Sequence, residues 1–125
     1  NTYSTRVLTG IPGLDERMGG GLLEGTISTV IGSSGVGKTT FALEFLINGV
    51  VNGERGLYCT LEETYDELKR SAGAGKYNLD DLNGKDLFIL STLIEDQSPD
   101  ELLDKLEKQI VTTRPKRIVI DSLSS

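Results

Sequence analysis

Short apolar runs alternate along the chain with longer stretches in which polar positions recur every three to four residues. The runs predict strands at 26–31, 57–61, 86–91 and 117–120. The longer stretches predict helices at 38–51, 65–70 and 99–113. Strands that alternate with helices indicate an α/β fold in which helices cover a mostly parallel sheet.

Helix ends are marked by local side-chain chemistry. Thr64 with Glu67, and Ser98 with Glu101, have the spacing of capping boxes, in which side chain and backbone bond each other reciprocally. The first helix, 38–51, has its polar side chains four residues apart and apolar side chains on its other faces. We therefore expect that helix to be mostly buried.

Composition limits the classes of protein to which this chain can belong. Its 125 residues, of which 37% are hydrophobic and 26% charged, suit one globular domain over 1–125. No secretory leader and no apolar run of about 20 residues is present, so we expect a cytoplasmic protein without a membrane partner. The single cysteine, Cys59, excludes an internal disulfide, and the absence of histidine excludes His-based triads. A net charge of −6 disfavours duplex nucleic acid as the main partner, although a local basic patch would be compatible with it.

A glycine-rich segment follows the first predicted strand. It matches G-x-x-x-x-G-K-[ST] at every fixed position, with Gly32, Ser33, Ser34, Gly35, Val36, Gly37, Lys38 and Thr39. Glycines let backbone N–H groups converge on phosphate, and Lys38 reaches the β- and γ-phosphates. Thr39 offers a hydroxyl to Mg²⁺, and Thr40 is placed to meet the α-phosphate. A glycine-rich turn without a ligand is the alternative, and the flanking strand and helix count against it.

Carboxylates follow two of the predicted strands, at the sheet edge where ligands bind in open α/β folds. Asp121 would hold Mg²⁺, directly or through water, opposite Thr39. Glu62 and Glu63 follow another strand and could polarise a water for attack on the γ-phosphate. From the residues alone, a pair of solvated glutamates before a helix is the favoured interpretation.

Several segments together resemble the RecA superfamily of P-loop NTPases and, within it, the KaiC-like ATPases. They lie at 9–15, 19–21, 25, 32–40, 41–46, 57–63 and 117–123. The pair Glu62 and Glu63 points to the KaiC-like proteins, because recombinases usually carry one glutamate there. The resemblance implies a RecA-like core that binds ATP with Mg²⁺, in which Lys38 and Glu62 are catalytic and Glu63 supports Glu62.

The resemblance also implies subunits that stack, so we expect a homo-oligomer formed through the nucleotide-site face. In this family a strand downstream of Asp121 separates the phosphate-loop strand from the Asp121 strand, and basic residues that meet the neighbour's γ-phosphate also lie downstream. The chain begins at Asn1 and stops at Ser125, so we expect a core truncated after the Asp121 strand. That predicts an open slot in the sheet, which could recruit a partner strand, and a chain that binds ATP better than it hydrolyses it.

The leading functional hypothesis is Mg²⁺-dependent ATP binding and slow hydrolysis, coupled to conformation or assembly. A nucleotide-binding regulatory module with little turnover is the alternative. A recombinase-like DNA-dependent ATPase is a third hypothesis, against which the acidic balance and the glutamate pair both count.

Overall fold

The computed structural model describes residues 27–31 and 37–121. Its strands are β1 (Ile27–Ile31), β2 (Gly56–Thr60), β3 (Leu87–Ser91) and β4 (Arg117–Asp121). Its α-helices are α1 (Lys38–Val51), α2 (Tyr65–Ala74), α3 (Leu79–Leu82) and α4 (Pro99–Thr113), with a 3₁₀ turn at Ile94–Asp96. None of the helices in this described part is long and apolar enough to cross a bilayer.

The strands form one four-stranded sheet in the order β1-β4-β2-β3, and each neighbouring pair is parallel. The predicted α/β fold with a parallel sheet flanked by helices is therefore confirmed. Strand β2 is buried along its whole length because it lies inside the sheet and is covered on both faces.

Alternate residues of the inner strands feed two apolar clusters, one on each face of the sheet. Leu57, Cys59 and Leu61 pack towards α4, whose buried stripe includes Leu102 and Leu106. The opposite face packs against α1, α2 and α3 through Tyr58, Val119, Leu43, Leu46 and Leu68. The period of two along β2 thus assigns Tyr58 to the α1 side.

Both predicted capping boxes are present, at Thr64 and at Ser98, and each side chain accepts the predicted backbone N–H. Helix α2 continues to Ala74, beyond the predicted end at 70, and the short helix α3 was not predicted. The expectation of a mostly buried first helix is wrong on one side, because Phe41 is 63% exposed and Val51 77% exposed. Only one face of α1 rests on the sheet.

The predicted open slot between the phosphate-loop strand and the Asp121 strand is also wrong for this structure. β1 pairs directly with β4 over five residues, from Ile27 opposite Arg117 to Ile31 opposite Asp121. Unpaired backbone N–H and C=O groups in a sheet are costly, and this pairing satisfies them. Strand exchange therefore has no support from the sheet.

Arg117 ties α1 to β4 at the end of the sheet where the strands begin. Its Nε donates to Glu54 Oε1 at 2.9 Å and its Nη1 donates to the carbonyl oxygen of Phe45 at 2.8 Å. The guanidinium carbon lies 4.9 Å from the centroid of the Phe45 ring. Gly49 makes room for this side chain, since a Cβ on that residue would lie 2.6 Å from Arg117 Cδ.

Candidate nucleotide site

The candidate site lies where the N-terminus of α1 meets the carboxyl ends of β2 and β4. Gly37 caps α1 with φ 98° and ψ −4°, a left-handed conformation that glycine adopts without a steric penalty. Lys38 is the first helical residue. Gly32, Ser33, Ser34, Gly35 and Val36 of the predicted phosphate loop lie outside the described residues.

Lys38 and Asp121 form the central ion pair of the site. Lys38 Nζ lies 2.8 Å from Asp121 Oδ1, and the two side chains are 23% and 1% exposed. They are 83 residues apart in sequence, so the sheet brings them together. The main chain of Asp121 is also fixed, because its carbonyl oxygen accepts the N–H of Leu61 at 3.2 Å.

Tyr58 contacts both predicted metal ligands from beneath the site. Its hydroxyl donates to Asp121 Oδ2 at 3.4 Å, and the side chain of Thr39 is close enough to interact with it. Burial raises the pKa of Tyr58 and the Asp121 charge raises it further, whereas the side chain of Thr39 lowers it.

The two glutamates after β2 take different positions. The Glu62 side chain is exposed, whereas Glu63 is half-buried. The backbone of Glu63 is held twice: its N–H donates to Thr60 Oγ1 at 3.2 Å, and its carbonyl oxygen accepts the hydroxyl of Ser91 at 2.7 Å. The structure therefore fixes the backbone of Glu63 and places its carboxylate close to the ion pair.

The Glu63 carboxylate is electrostatically coupled to that pair. Burial raises its pKa from 4.5, the Asp121 charge raises it further, and the Lys38 charge lowers it. Its Oε2 accepts a bond from Ser71 Oγ at 3.4 Å, while its Oε1 is buried without a hydrogen-bond partner among residues 27–31 and 37–121. An acceptor left unsatisfied in this way is ready to bind a donor such as water.

A cleft of about 250 Å³ opens between the start of α1 and the end of α2. It is lined by Gly37, Lys38, Thr39, Thr40, Ser71, Ala74 and Gly75. Helix α2 ends close to Thr40, since a Cβ on Gly75 would lie 2.0 Å from Thr40 Oγ1. The hydroxyl predicted to meet the α-phosphate thus lines a cleft that small residues keep open.

The donors at this site fit the chemistry that Mg²⁺ requires. Thr39 and Asp121 supply a hydroxyl and a carboxylate, both close to the Tyr58 hydroxyl, and Mg²⁺ prefers such oxygen ligands. Mg²⁺ is typically held by one or two carboxylates with the substrate phosphates, so a larger acidic cluster is not needed. Indeed, the described residues contain no group of three or more acidic, Cys or His residues arranged to hold a metal.

Residues 7–125 match the family model described as "ATPase: KaiC". The chain belongs to the KaiC family of ATPases. It is 34% identical to the circadian clock oscillator protein KaiC of Acaryochloris marina over 98% of its own length and 24% of that protein. It is 35% identical to KaiC of Prochlorococcus marinus, over 94% of this chain and 26% of the relative.

A shorter relative matches equally well. The chain is 32% identical to a UPF0273 protein of Thermotoga maritima, over 96% of this chain and 56% of that protein. The chain therefore spans about a quarter of the KaiC relatives and about half of the UPF0273 relative.

Sequence reasoning selected Lys38, Thr39 and Asp121, and the structure places these three together. It did not select Tyr58. The alternation of side chains along β2 places Tyr58 on the α1 face of the sheet, and that alternation was the pattern from which its position could have been predicted.

Proposed function

We propose that this domain binds ATP with Mg²⁺ at the start of α1 and hydrolyses it slowly, coupling nucleotide state to conformation or assembly. The observation that carries the proposal is the position of Lys38, directly after a left-handed Gly37 and 2.8 Å from a buried Asp121 carboxylate. A helix N-terminus with a lysine and a nearby acid is the arrangement that binds phosphate and a hard cation.

Each residue has a distinct task under this proposal. The backbone N–H groups at the start of α1, together with residues 32–36, bind the phosphate chain. Lys38 exchanges its bond to Asp121 for the β- and γ-phosphates, and Thr40 bonds the α-phosphate. Thr39 and Asp121 hold Mg²⁺, which when bound neutralises charge on the phosphates.

Glu62 and Glu63 are the proposed catalytic carboxylates. The raised pKa of Glu63 makes it a stronger proton acceptor for a positioned water than an ordinary glutamate, and its Oε1, which has no hydrogen-bond partner in the described part of the chain, can accept that bond. Glu62 is exposed, and its assignment as the principal base stays a prediction. Single-turnover hydrolysis by Glu62→Gln and Glu63→Gln separates the two roles, since the principal base should show the larger loss.

Nucleotide binding is tested by calorimetry with ATP on the wild type and on Lys38→Ala. Loss of a charge-assisted contact should weaken binding roughly ten- to a hundredfold. Lys69→Ala is the matched control, because Lys69 pairs with Asp80 on the surface and should leave affinity unchanged. Equal ATP affinity in all three proteins would remove the basis of the proposal. Tight binding without single-turnover hydrolysis would instead favour the regulatory module with little turnover.

We also propose that copies of the chain associate through the nucleotide-site face. Phe41 supports this, because it is 63% exposed on the first turn of α1, next to Thr40. Light scattering with ATP and Mg²⁺ should then show an assembly larger than one chain, and a monomer at high concentration would contradict it. Three further points stay predictions: the domain limits of 1–125, the cytoplasmic location, and the expectation that this chain binds ATP better than it hydrolyses it.

A further inference from the structure

A buried tyrosine hydroxyl lies close to the two side chains to which the metal is assigned. Tyr58 is 0% exposed, sits in the middle of β2, donates to Asp121 Oδ2 at 3.4 Å and interacts with the side chain of Thr39. Thr39 and Asp121 are themselves only 4% and 0% exposed. The three side chains form a buried polar cluster contributed by α1, β2 and β4.

The aromatic ring and the hydroxyl of Tyr58 serve different purposes. The ring packs in the apolar cluster beneath α1, where a phenylalanine would fill nearly the same volume. The hydroxyl donates to the Asp121 carboxylate and interacts with Thr39, and a phenylalanine would lose both interactions.

The bonds to Asp121 are divided between its two oxygens. Lys38 holds Oδ1 at 2.8 Å and Tyr58 holds Oδ2 at 3.4 Å. Under the proposed function Lys38 turns to the phosphates, which leaves the Tyr58 hydroxyl to orient the carboxylate. Because the same hydroxyl also interacts with Thr39, its removal would change the surroundings of both oxygen ligands.

We propose that Tyr58 is a positioning residue for Mg²⁺, whose hydroxyl holds Thr39 and Asp121 in the arrangement that receives the cation. This inference rests on the proposed function. It requires that the hydroxyl affects the Mg²⁺-dependent part of ATP binding and not the metal-free part, because Tyr58 lies against the ligands of the metal and beneath the phosphates. Preorganised ligands bind better because less ordering is left for the moment of binding.

The test is Tyr58→Phe, with ATP affinity measured by calorimetry in EDTA and across a Mg²⁺ titration. The Mg²⁺ concentration for half-maximal enhancement of binding should rise about two- to tenfold, the typical net value of one hydrogen bond. Metal-free affinity should stay within about twofold, since no phosphate contact is removed. Tyr65→Phe is the matched control, because it removes a hydroxyl bonded to Asp80 at 2.7 Å outside the site.

A merely structural hydroxyl would lower the unfolding temperature of Tyr58→Phe without altering its Mg²⁺ requirement, and that result would overturn the proposal. Equal weakening with and without metal would overturn it too. No Mg²⁺-dependent ATP binding by the wild type would overturn the proposed function itself, so the two failures are distinguishable.

A second measurement needs no variant at Tyr58. With ¹³C at the tyrosine Cζ positions of the wild type, the Tyr58 resonance should shift when Mg²⁺ is added to the ATP complex, while the Tyr65 resonance should not. A Tyr58 resonance whose chemical shift does not change when Mg²⁺ is added would overturn the proposal even if Tyr58→Phe did not fold.

Discussion

The ion pair between Lys38 and Asp121 should contribute measurably to folding in the absence of nucleotide. At about 4 Å two unit charges interact by about 4 kcal/mol at an effective dielectric constant of about 20. Removing a nearly buried carboxylate and a lysine that is 23% exposed from water offsets part of this attraction. We therefore expect a coupling free energy of about 1.5–3 kcal/mol, the range of a charge-assisted hydrogen bond.

The assay is a double-mutant cycle on the free energy of unfolding in urea, with Lys38→Met, Asp121→Asn and the double variant. Lys38→Met should cost more than Asp121→Asn. The first leaves the Asp121 and Glu63 carboxylates repelling each other, whereas the second relieves that repulsion.

A control cycle on Lys69 and Asp80 uses the same pair of residue types on the surface, where the side chains are 47% and 51% exposed. Solvent screening should make its coupling indistinguishable from experimental error. Equal couplings in the two cycles, or a larger cost for Asp121→Asn than for Lys38→Met, would refute the electrostatic reasoning.

Two further predictions concern packing and pH. Gly49→Ala should destabilise the fold by about 1–3 kcal/mol, because its Cβ would displace the Arg117 side chain, which is held by Glu54. Gly73→Ala in α2 is the control: its Cβ meets no atom within 4 Å, so this variant should be more stable than the wild type. The free energies of chemical unfolding of both variants test the prediction. The native state holds the Glu63 proton more tightly than the unfolded chain does, so this group makes the free energy of unfolding fall as pH rises from 4.5 towards neutrality. Glu63→Gln removes that decline, so its stability relative to the wild type should increase with pH in urea titrations; a pH-independent difference would show the carboxylate to be unperturbed.

Much of this structure follows from interactions between residues close in sequence. The apolar run at 57–61 predicted β2 and the period near four predicted α4, because side chains that pack against neighbouring elements are apolar. The caps at Thr64 and Ser98 were predictable because their partners lie three residues away. Lys38 could be named because phosphate chemistry requires a lysine directly after the glycine-rich turn.

Interactions between distant residues were decided only by the tertiary structure. The pairing of β1 with β4 depends on which strands compete for the same backbone N–H and C=O groups. No local sequence pattern predicts the outcome of that competition. The contact of Tyr58 with Asp121 arises from the register of β2 and β4, in which Thr60 lies opposite Asp121. Local sequence therefore determined the elements and the types of chemical group, whereas the register of neighbouring strands determined which groups meet, because hydrogen-bonded pairing sets distances that composition and periodicity leave undetermined.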